Sequence, residues 1–364
     1  MTARLRYLPD YSVTNPFQTM LYERASRHGV EASPINLDAL ADLDPRHDPG
    51  ASILHLHWTN PIVQAHRDPA DARRSLHHAM HHLERVCTLG GRLVWTVHNA
   101  LPHDRRHHTL EVELCRFLAD RAEVTHLLTP TTFAATAPYY LLDGARSITV
   151  GHASYLGAYR DDITRDDART RLGLQPDDEV VVALGALRAY RGIARLVEAA
   201  THLQRTRPRL RLLIAGRPAR DFDVGALQSR LDDLDGAVLH SGFVERDDVQ
   251  VWMRAADVAV MPYELVLNSA SFPLALTFGL PVVAPALGVF LDHQREPVVH
   301  LYPARSTAGL VEALDAALSA DDLAARSRAA SAAADRFTGA EMSDEFFAQL
   351  LSRLGLSSAA DAET

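Results

Sequence analysis

The sequence predicts an α/β fold made of two Rossmann-like domains of similar size, followed by C-terminal helices. Three observations carry this. Short apolar runs alternate with amphipathic stretches through both halves, the pattern of parallel-sheet domains. The length, 364 residues, suits two or three domains on the usual prior of ~100–200 residues each. With 47% apolar and 23% charged residues, the chain can bury a full core, which excludes intrinsic disorder and a disulfide-stapled miniprotein. Domains are expected at 1–158 and 159–335, with 336–364 forming a helix and a mobile tail after Leu356.

In the first half the candidate strands are 5–8, 53–57, 93–98, 124–129 and 147–150, with helices over 71–89 and 110–121. Leu76, Met80, Leu83 and Cys87 recur at helical spacing and should face the sheet. The charged segment 160–171 reads as a linker or a solvated helix. In the second half, strand 179–184 leads to helix 191–203, strand 210–215, strand 237–241, helix 247–256 and strand 258–263. The next stretch, 265–291, carries no charge, and its length alone would allow a membrane helix. Asn268, Ser269 and Ser271, with Pro273, Gly279, Pro281, Pro285 and Gly288, argue instead for a loop, a short helix capped by Ser271, and a buried strand from Pro281. Beyond Ala308 the chain is Ala-rich and helical.

Charge and cysteine content narrow the function. The 37 basic residues are all Arg and are outnumbered by 46 acidic ones, for a net charge of −9, so nonspecific nucleic-acid binding is not expected. With no Lys, a Gly-Lys-Ser/Thr phosphate loop and Schiff-base catalysis are excluded. Cys87 and Cys115 suggest a reducing compartment without a disulfide framework. The N-terminal residues lack the apolar stretch of a signal peptide, and a cytoplasmic location is expected.

Ligands of open α/β sheets bind outside the carboxyl ends of the strands. Neither half shows Gly-x-Gly-x-x-Gly after its first strand, which disfavours a dinucleotide site. The second half instead has Gly185-Ala-Leu-Arg188-Ala-Tyr-Arg191-Gly192 leading into a helix. Two guanidinium groups, backbone N–H groups and the helix dipole form an anion site there; the alternative is two surface arginines on a turn. The loop from Pro262 to Ser271, with Glu264, Asn268 and Ser269, supplies a second helix N-terminus in the same sheet. Two anion-binding ends on one sheet suit a diphosphate.

These residues carry a resemblance. The stretch 184–199, then Leu212-Leu-Ile-Ala-Gly216-Arg217-Pro218, His240-Ser-Gly242-Phe243-Val244, 252–263 and Phe278-Gly-Leu-Pro-Val-Val-Ala-Pro follow in the order of a glycosyltransferase donor site. The chain resembles the GT-B superfamily near glycosyltransferase family 4, in particular bacterial enzymes of exopolysaccharide or glycolipid assembly. In the first half, Asn15-Pro-Phe-Gln18, His55-Leu-His57-Trp58, Val94-Trp-Thr-Val-His98-Asn99-Ala-Leu-Pro-His103-Asp104 and Gly151-His152-Ala-Ser-Tyr155 are similar to the acceptor-domain signatures. Two glutamates common in family 4 are replaced by Val266 and Leu274, with Glu264 nearby as a substitute.

The resemblance implies two Rossmann-like domains facing across a cleft, with the helix of 336–364 packing back towards the first domain, and transfer of a hexosyl unit from a UDP- or GDP-sugar co-substrate to a glycan or lipid-linked hydroxyl. His98, Arg188 and Arg191 are the candidate catalytic residues. Gly185, Gly216, Arg217, Phe243, Val244, Glu264, Asn268, Ser269 and Ser271 are expected at the donor, and Asn15, Trp58, Asn99, His103, Asp104, His152 and Tyr155 at the acceptor. No cofactor or metal is expected: Asp221-Phe-Asp223 follows Pro218, and the pairs His77/His81 and His78/His82 share a helix face without a third ligand. Arg105-Arg106-His107-His108 reads first as a solvated basic loop and second as a candidate for peripheral contact with the inner face of a membrane. A nucleotide-sugar epimerase or hydrolase on the same scaffold, and a binding scaffold without turnover, are the alternatives.

Overall fold

The computed structural model describes residues 3–47, 52–102 and 106–356. His103, Asp104, Arg105 and the tail after Leu356 lie outside them. The chain divides into two compact units, 1–152 with 339–364 and 153–338. The boundaries thus fall a few residues from the expected 158 and 335, and Tyr155 belongs to the second unit.

The first unit is built on β1 (Ala3–Leu8), β2 (Val30–Pro34), β3 (Ser52–Leu56), β4 (Arg92–Val97), β5 (Val124–Leu127) and β6 (Ser147–Thr149). All pairs are parallel in the order β2-β1-β3-β4-β5-β6. β4 buries five consecutive residues because a parallel sheet is covered on both faces. Helix Pro69–Thr88 starts with Pro at its first turn after Asp68, whose side chain accepts from the backbone N–H groups of Ala70 (2.7 Å) and Asp71 (3.1 Å). Its buried row is Ala72, Leu76, Ala79, Leu83 and Val86; Met80 and Cys87, expected inside, are half-buried. The row advances by three or four residues from Ala72, and Met80 and Cys87 flank it. Helix Gly339–Arg353 closes this unit with Phe346 and Phe347 fully buried.

The second unit holds β7 (Glu179–Leu184), β8 (Leu210–Ala215), β9 (Val238–His240), β10 (Val258–Val260), β11 (Val282–Pro285) and β12 (Val299–Tyr302). The order is β12-β11-β10-β7-β8-β9, again all parallel. The chain leaves β7 in one direction through β8 and β9 and resumes on the other side at β10. The topological switch point is therefore the crevice between β7 and β10, where open α/β sheets bind ligands.

The charged segment over 160–171 is a helix, Arg165–Arg171, capped by Thr164. It is not merely solvated. Arg169 is 1% exposed and pairs through Nη2 with the buried Asp257 at 2.9 Å. The same Asp257 oxygen accepts from the Val180 N–H at 2.8 Å, fixing the helix to the start of β7. Among the described residues no helix is long and apolar enough to cross a membrane; 265–291 resolves into loop, helix Ser271–Thr277 and β11 as expected.

Candidate active site

At the carboxyl end of β7 the chain must turn sharply over its neighbours, and glycine decides how closely. A Cβ on Gly216 would lie 2.0 Å from the Gly185 carbonyl oxygen, and one on Gly185 would lie 2.4 Å from Arg191 Nη1. The loops after β7 and β8 are stitched by Leu187 N–H to Arg217 O and Ala219 N–H to Leu187 O, both 2.9 Å. A 3-10 turn, Ala189–Arg191, ends at Gly192 with φ 66°, which starts helix Ile193–Gln204. A Cβ on Gly192 would meet the Pro262 carbonyl oxygen at 2.0 Å. The Glu264 N–H donates to Tyr190 O at 2.8 Å. The Arg188–Gly192 turn is thus seated on the loop after β10, at the switch point.

Arg191 is the centre of this arrangement. Its guanidinium lies 5.0 Å from the Tyr263 ring centroid, and Nη1 donates to Leu184 O at 3.2 Å. Nε is shut off from solvent without a hydrogen-bond partner. Burial works against its charge, but Tyr263 and Tyr190 outweigh that and hold its pKa above the ordinary arginine value. A half-buried cation with a solvent-shielded donor to spare fits an anionic group. Arg188 is half-buried at the start of the same turn.

Other expected donor residues fall into place unevenly. Ser269 is buried, its Oγ 3.4 Å from the Tyr263 hydroxyl, and Asn268 is half-buried beside it. Ser271 does not cap its helix: the N-cap position is Ala270, Ser271 is the first helical residue, and its hydroxyl donates to Leu184 O at 3.4 Å. The helix has seven residues, so its dipole is a small addition to the arginines. Glu264 is committed to Arg195 at 3.0 Å, and Arg195 also donates to Arg305 O at 2.6 Å. Arg217 is exposed, Val244 half-buried, and Phe243 is 53% exposed beyond β9, its carbonyl accepting from His240 Nε2 at 3.2 Å. Asp223 of the Asp-x-Asp pair caps helix Val224–Leu231 by accepting from Ala226 N–H at 2.8 Å.

In the first unit, strand periodicity collects histidines on one face. His55 and His57 alternate along β3 and past its end; Thr96 sits on β4 in register with His126 of β5. His98 follows β4. Its Nε2 lies 3.1 Å from His57 Nδ1, and its ring is stacked on Trp58 at 4.0 Å. The Tyr22 hydroxyl bridges His57 Nε2 (2.6 Å) and His55 Nδ1 (2.8 Å). Thr96 Oγ1 bridges His55 Nε2 (2.7 Å) and His126 Nδ1 (3.0 Å), and His126 Nε2 donates to Val150 O at 3.0 Å. Burial pushes His55, His57 and His98 well below the ordinary imidazole range, with the neighbouring histidines adding to the shift. His126 is likewise pushed down to about 4 by burial, against the Val150 carbonyl, which favours its protonated form.

Phe17 joins this face to His152, with centroids 5.2 Å from His98 and 4.8 Å from His152. Asn15 Oδ1 accepts from Phe17 N–H at 3.0 Å and so shapes the turn into helix Phe17–Leu21. Asn99 is half-buried in the turn after β4. Beside Trp58, at the carboxyl ends of β1, β2 and β3, lies a cavity of about 460 Å³ also lined by Leu8, Asp10, Asn36 and Ile62. Tyr155 is 2% exposed in the second unit and its N–H donates to Thr277 Oγ1 at 2.8 Å, a packing position. His107, expected in a solvated basic loop, is buried and donates from Nε2 to His66 O at 3.0 Å. Sequence reading missed Tyr22, Thr96 and His126; the in-register placement of Thr96 on β4 and His126 on β5 is the signal that finds those two, while Tyr22, at the end of helix Phe17–Leu21, carries none. Among the described residues, no three or more His, Cys, Asp or Glu side chains converge as metal ligands would.

Residues 178–320 match the family described as Glycosyl transferases group 1. A GDP-mannose:glycolipid 4-beta-D-mannosyltransferase of Xanthomonas campestris pv. campestris is 27% identical over 274 residues, 75% of this chain and 70% of that protein. A D-inositol 3-phosphate glycosyltransferase of Jonesia denitrificans is 34% identical over 139 residues, 35% of this chain; the match spans only 32% of that relative's length. Anabaena HepE, solved with UDP and glucose, superposes with a TM-score of 0.74 at 13% identity over 96% of this chain and 100% of its own. Sucrose-phosphate synthase of Thermosynechococcus elongatus gives 0.74 at 14% identity over 97% and 99%. At such identities the structural likeness speaks for the fold, which is GT-B.

Proposed function

We propose, from the premise that the chain is a GT-B glycosyltransferase near glycosyltransferase family 4, that it transfers a hexosyl unit from a UDP- or GDP-sugar to a hydroxyl of a glycan or glycolipid. The observation that carries the donor half is Arg191, held at the switch point with a buried Nε–H that no protein group takes up. In the transfer, the bond between the sugar C1 and the diphosphate oxygen breaks and its electron pair leaves with the diphosphate. The acceptor oxygen bonds to C1 and gives up its proton to His98. Arg188 and Arg191 take up the developing negative charge in place of a metal ion, since preorganised donors in a water-poor site act where charge appears. Gly185, Gly192 and Gly216 let the backbone approach the diphosphate closely, and Phe243 and Val244 flank the base. Glu264, tied to Arg195, shapes the loop instead of replacing the family's glutamates.

His98 is the first-unit residue proposed to meet the acceptor hydroxyl. The mannosyltransferase relative supports a GDP-linked donor and a glycolipid acceptor, and the UDP-bound neighbour supports a UDP-linked one. Titration calorimetry with GDP and UDP, followed by a panel of nucleotide sugars with and without glycolipid, tests the reading. Micromolar binding of one nucleotide and acceptor-dependent release of it are expected. Binding of neither refutes it in favour of a scaffold; release or isomerisation independent of any acceptor points to the hydrolase or epimerase. Turnover that stops with a chelator overturns the metal-free mechanism.

A further inference from the structure

The hydrogen bonds beneath His98 have a direction, and it can be deduced. Val150 O can only accept, so His126 Nε2 carries the proton. A neutral His126 then has a lone pair on Nδ1, and the Thr96 hydroxyl must donate to it. Thr96 Oγ1, its proton used, accepts from His55 Nε2–H. His55 Nδ1 is then an acceptor and takes the Tyr22 proton, so the Tyr22 oxygen accepts from His57 Nε2–H. His57 Nδ1 is left to accept from His98 Nε2–H. Each link lies between 2.6 and 3.1 Å, and no alternative arrangement of one proton per ring satisfies all six.

We propose that Tyr22, His55, His57, Thr96 and His126 form a one-way relay, anchored on the Val150 carbonyl, that holds His98 as the Nε2–H tautomer and presents its Nδ1 as a hydrogen-bond acceptor. These five are positioning residues. The rings stay neutral because they are buried: His55 and His126 are 0% exposed and His57 is 1%. Phe346 lies against both His55 (stacked, 5.4 Å) and His126 (4.9 Å), sealing the relay from water. Desolvation holds the three relay imidazoles, His55, His57 and His126, below their ordinary range, so in the resting protein none is doubly protonated and able to let the chain reverse.

A tautomer fixed in this way suits His98 to receive a hydroxyl proton and not to supply one. That use rests on the function proposed above; the tautomer itself does not. Long-range 1H–15N correlation of histidine-labelled protein near neutral pH reads the tautomer directly. His98 Nδ1 is expected at the shift of a bare imidazole nitrogen and Nε2 at that of a protonated one; the reverse overturns the relay. Thr96→Val keeps the shape but removes the hydroxyl, and Tyr22→Phe cuts the chain two links nearer His98. Each is expected to populate both His98 tautomers, and Thr96→Ser to restore one. Unchanged tautomers in both T96V and Y22F overturn the relay. In a transfer assay, kcat is expected to fall about tenfold or more in T96V, with the donor KM unchanged and recovery in T96S. An unchanged kcat with a scrambled tautomer overturns the positioning role. Should the parent show no transfer at all, the functional reading fails while the NMR result still stands on its own.

Discussion

The two units carry similar sheets but build their sites from opposite materials. The second unit brings a cation to the end of β7 and leaves one of its donors uncommitted, with glycines at 185, 192 and 216 making space around it. The first unit brings together four imidazoles, all held neutral, and commits their donors to His57, Tyr22, Thr96 and Val150. A site for a diphosphate needs fixed charge ready before the ligand arrives. A site for a hydroxyl needs a lone pair in a known place, and charge there would be a hindrance.

The comparison can be broken most decisively at the arginines. Replacing both Arg188 and Arg191 with Ala is expected to cut transfer by about a thousandfold or more, each lost donor being worth roughly 10²–10³, while the unfolding midpoint in urea changes little. Parent-like turnover would remove the second unit's claim to the diphosphate. Next comes Gly192→Ala. Its φ of 66° costs a side-chain-bearing residue about 1–2 kcal/mol, and the added methyl meets Pro262 O. A loss of at least that size in denaturant unfolding, with weaker GDP or UDP affinity by calorimetry, is expected; wild-type values would mean that the turn is not held as described.

A third test sharpens the other side of the comparison. The buried histidines are neutral in the folded protein, with folded pKa values below the ~6.5 of the unfolded chain. The unfolded state therefore binds more protons below that pH, so stability is present above it and is lost as pH falls. The slope is about 1.4 kcal/mol per pH unit for each histidine that charges only on unfolding. For His126 the loss runs down to about 4, where the folded form also takes a proton. Urea titrations between pH 7.5 and 4.5 are expected to show it, and Phe346 and Phe347 signals by NMR to broaden first. A flat profile would mean that the cluster is not shut off from water. The smallest effect is expected at Phe243, 53% exposed: Phe243→Ala should alter stability by less than about 0.5 kcal/mol and raise the donor KM only modestly.

The sequence reveals the two sites to different degrees. The arginine loop is legible because glycine, arginine and a helix start are adjacent in the chain and their chemistry is local. The relay is not, because its links join residues up to 41 positions apart and exist only in the register of β3, β4 and β5. His98 could be singled out as the end of a buried strand, but its tautomer depends on a carbonyl at Val150. Alternation located ten of the strands; β2 and β12 were missed. Both are sheet edges, where β2 (Val-Glu-Ala-Ser-Pro) mixes polar residues and a proline, and an edge strand needs neither a continuous apolar run nor every donor. Arg169 shows the converse limit: a charged run read as solvated holds a buried ion pair, because Asp257, its partner, lies far along the chain.

Helix Gly339–Arg353 is part of the first unit although the whole second unit precedes it in the chain. During synthesis, then, the β1–β6 sheet must wait with the binding place of Phe346 and Phe347 uncovered until the whole second unit has been made. Its histidines are open to water, and able to take up protons, throughout that interval. The first unit is begun before the second and completed after it, so a chain ending before residue 339 should hold a finished arginine site and an unfinished histidine one.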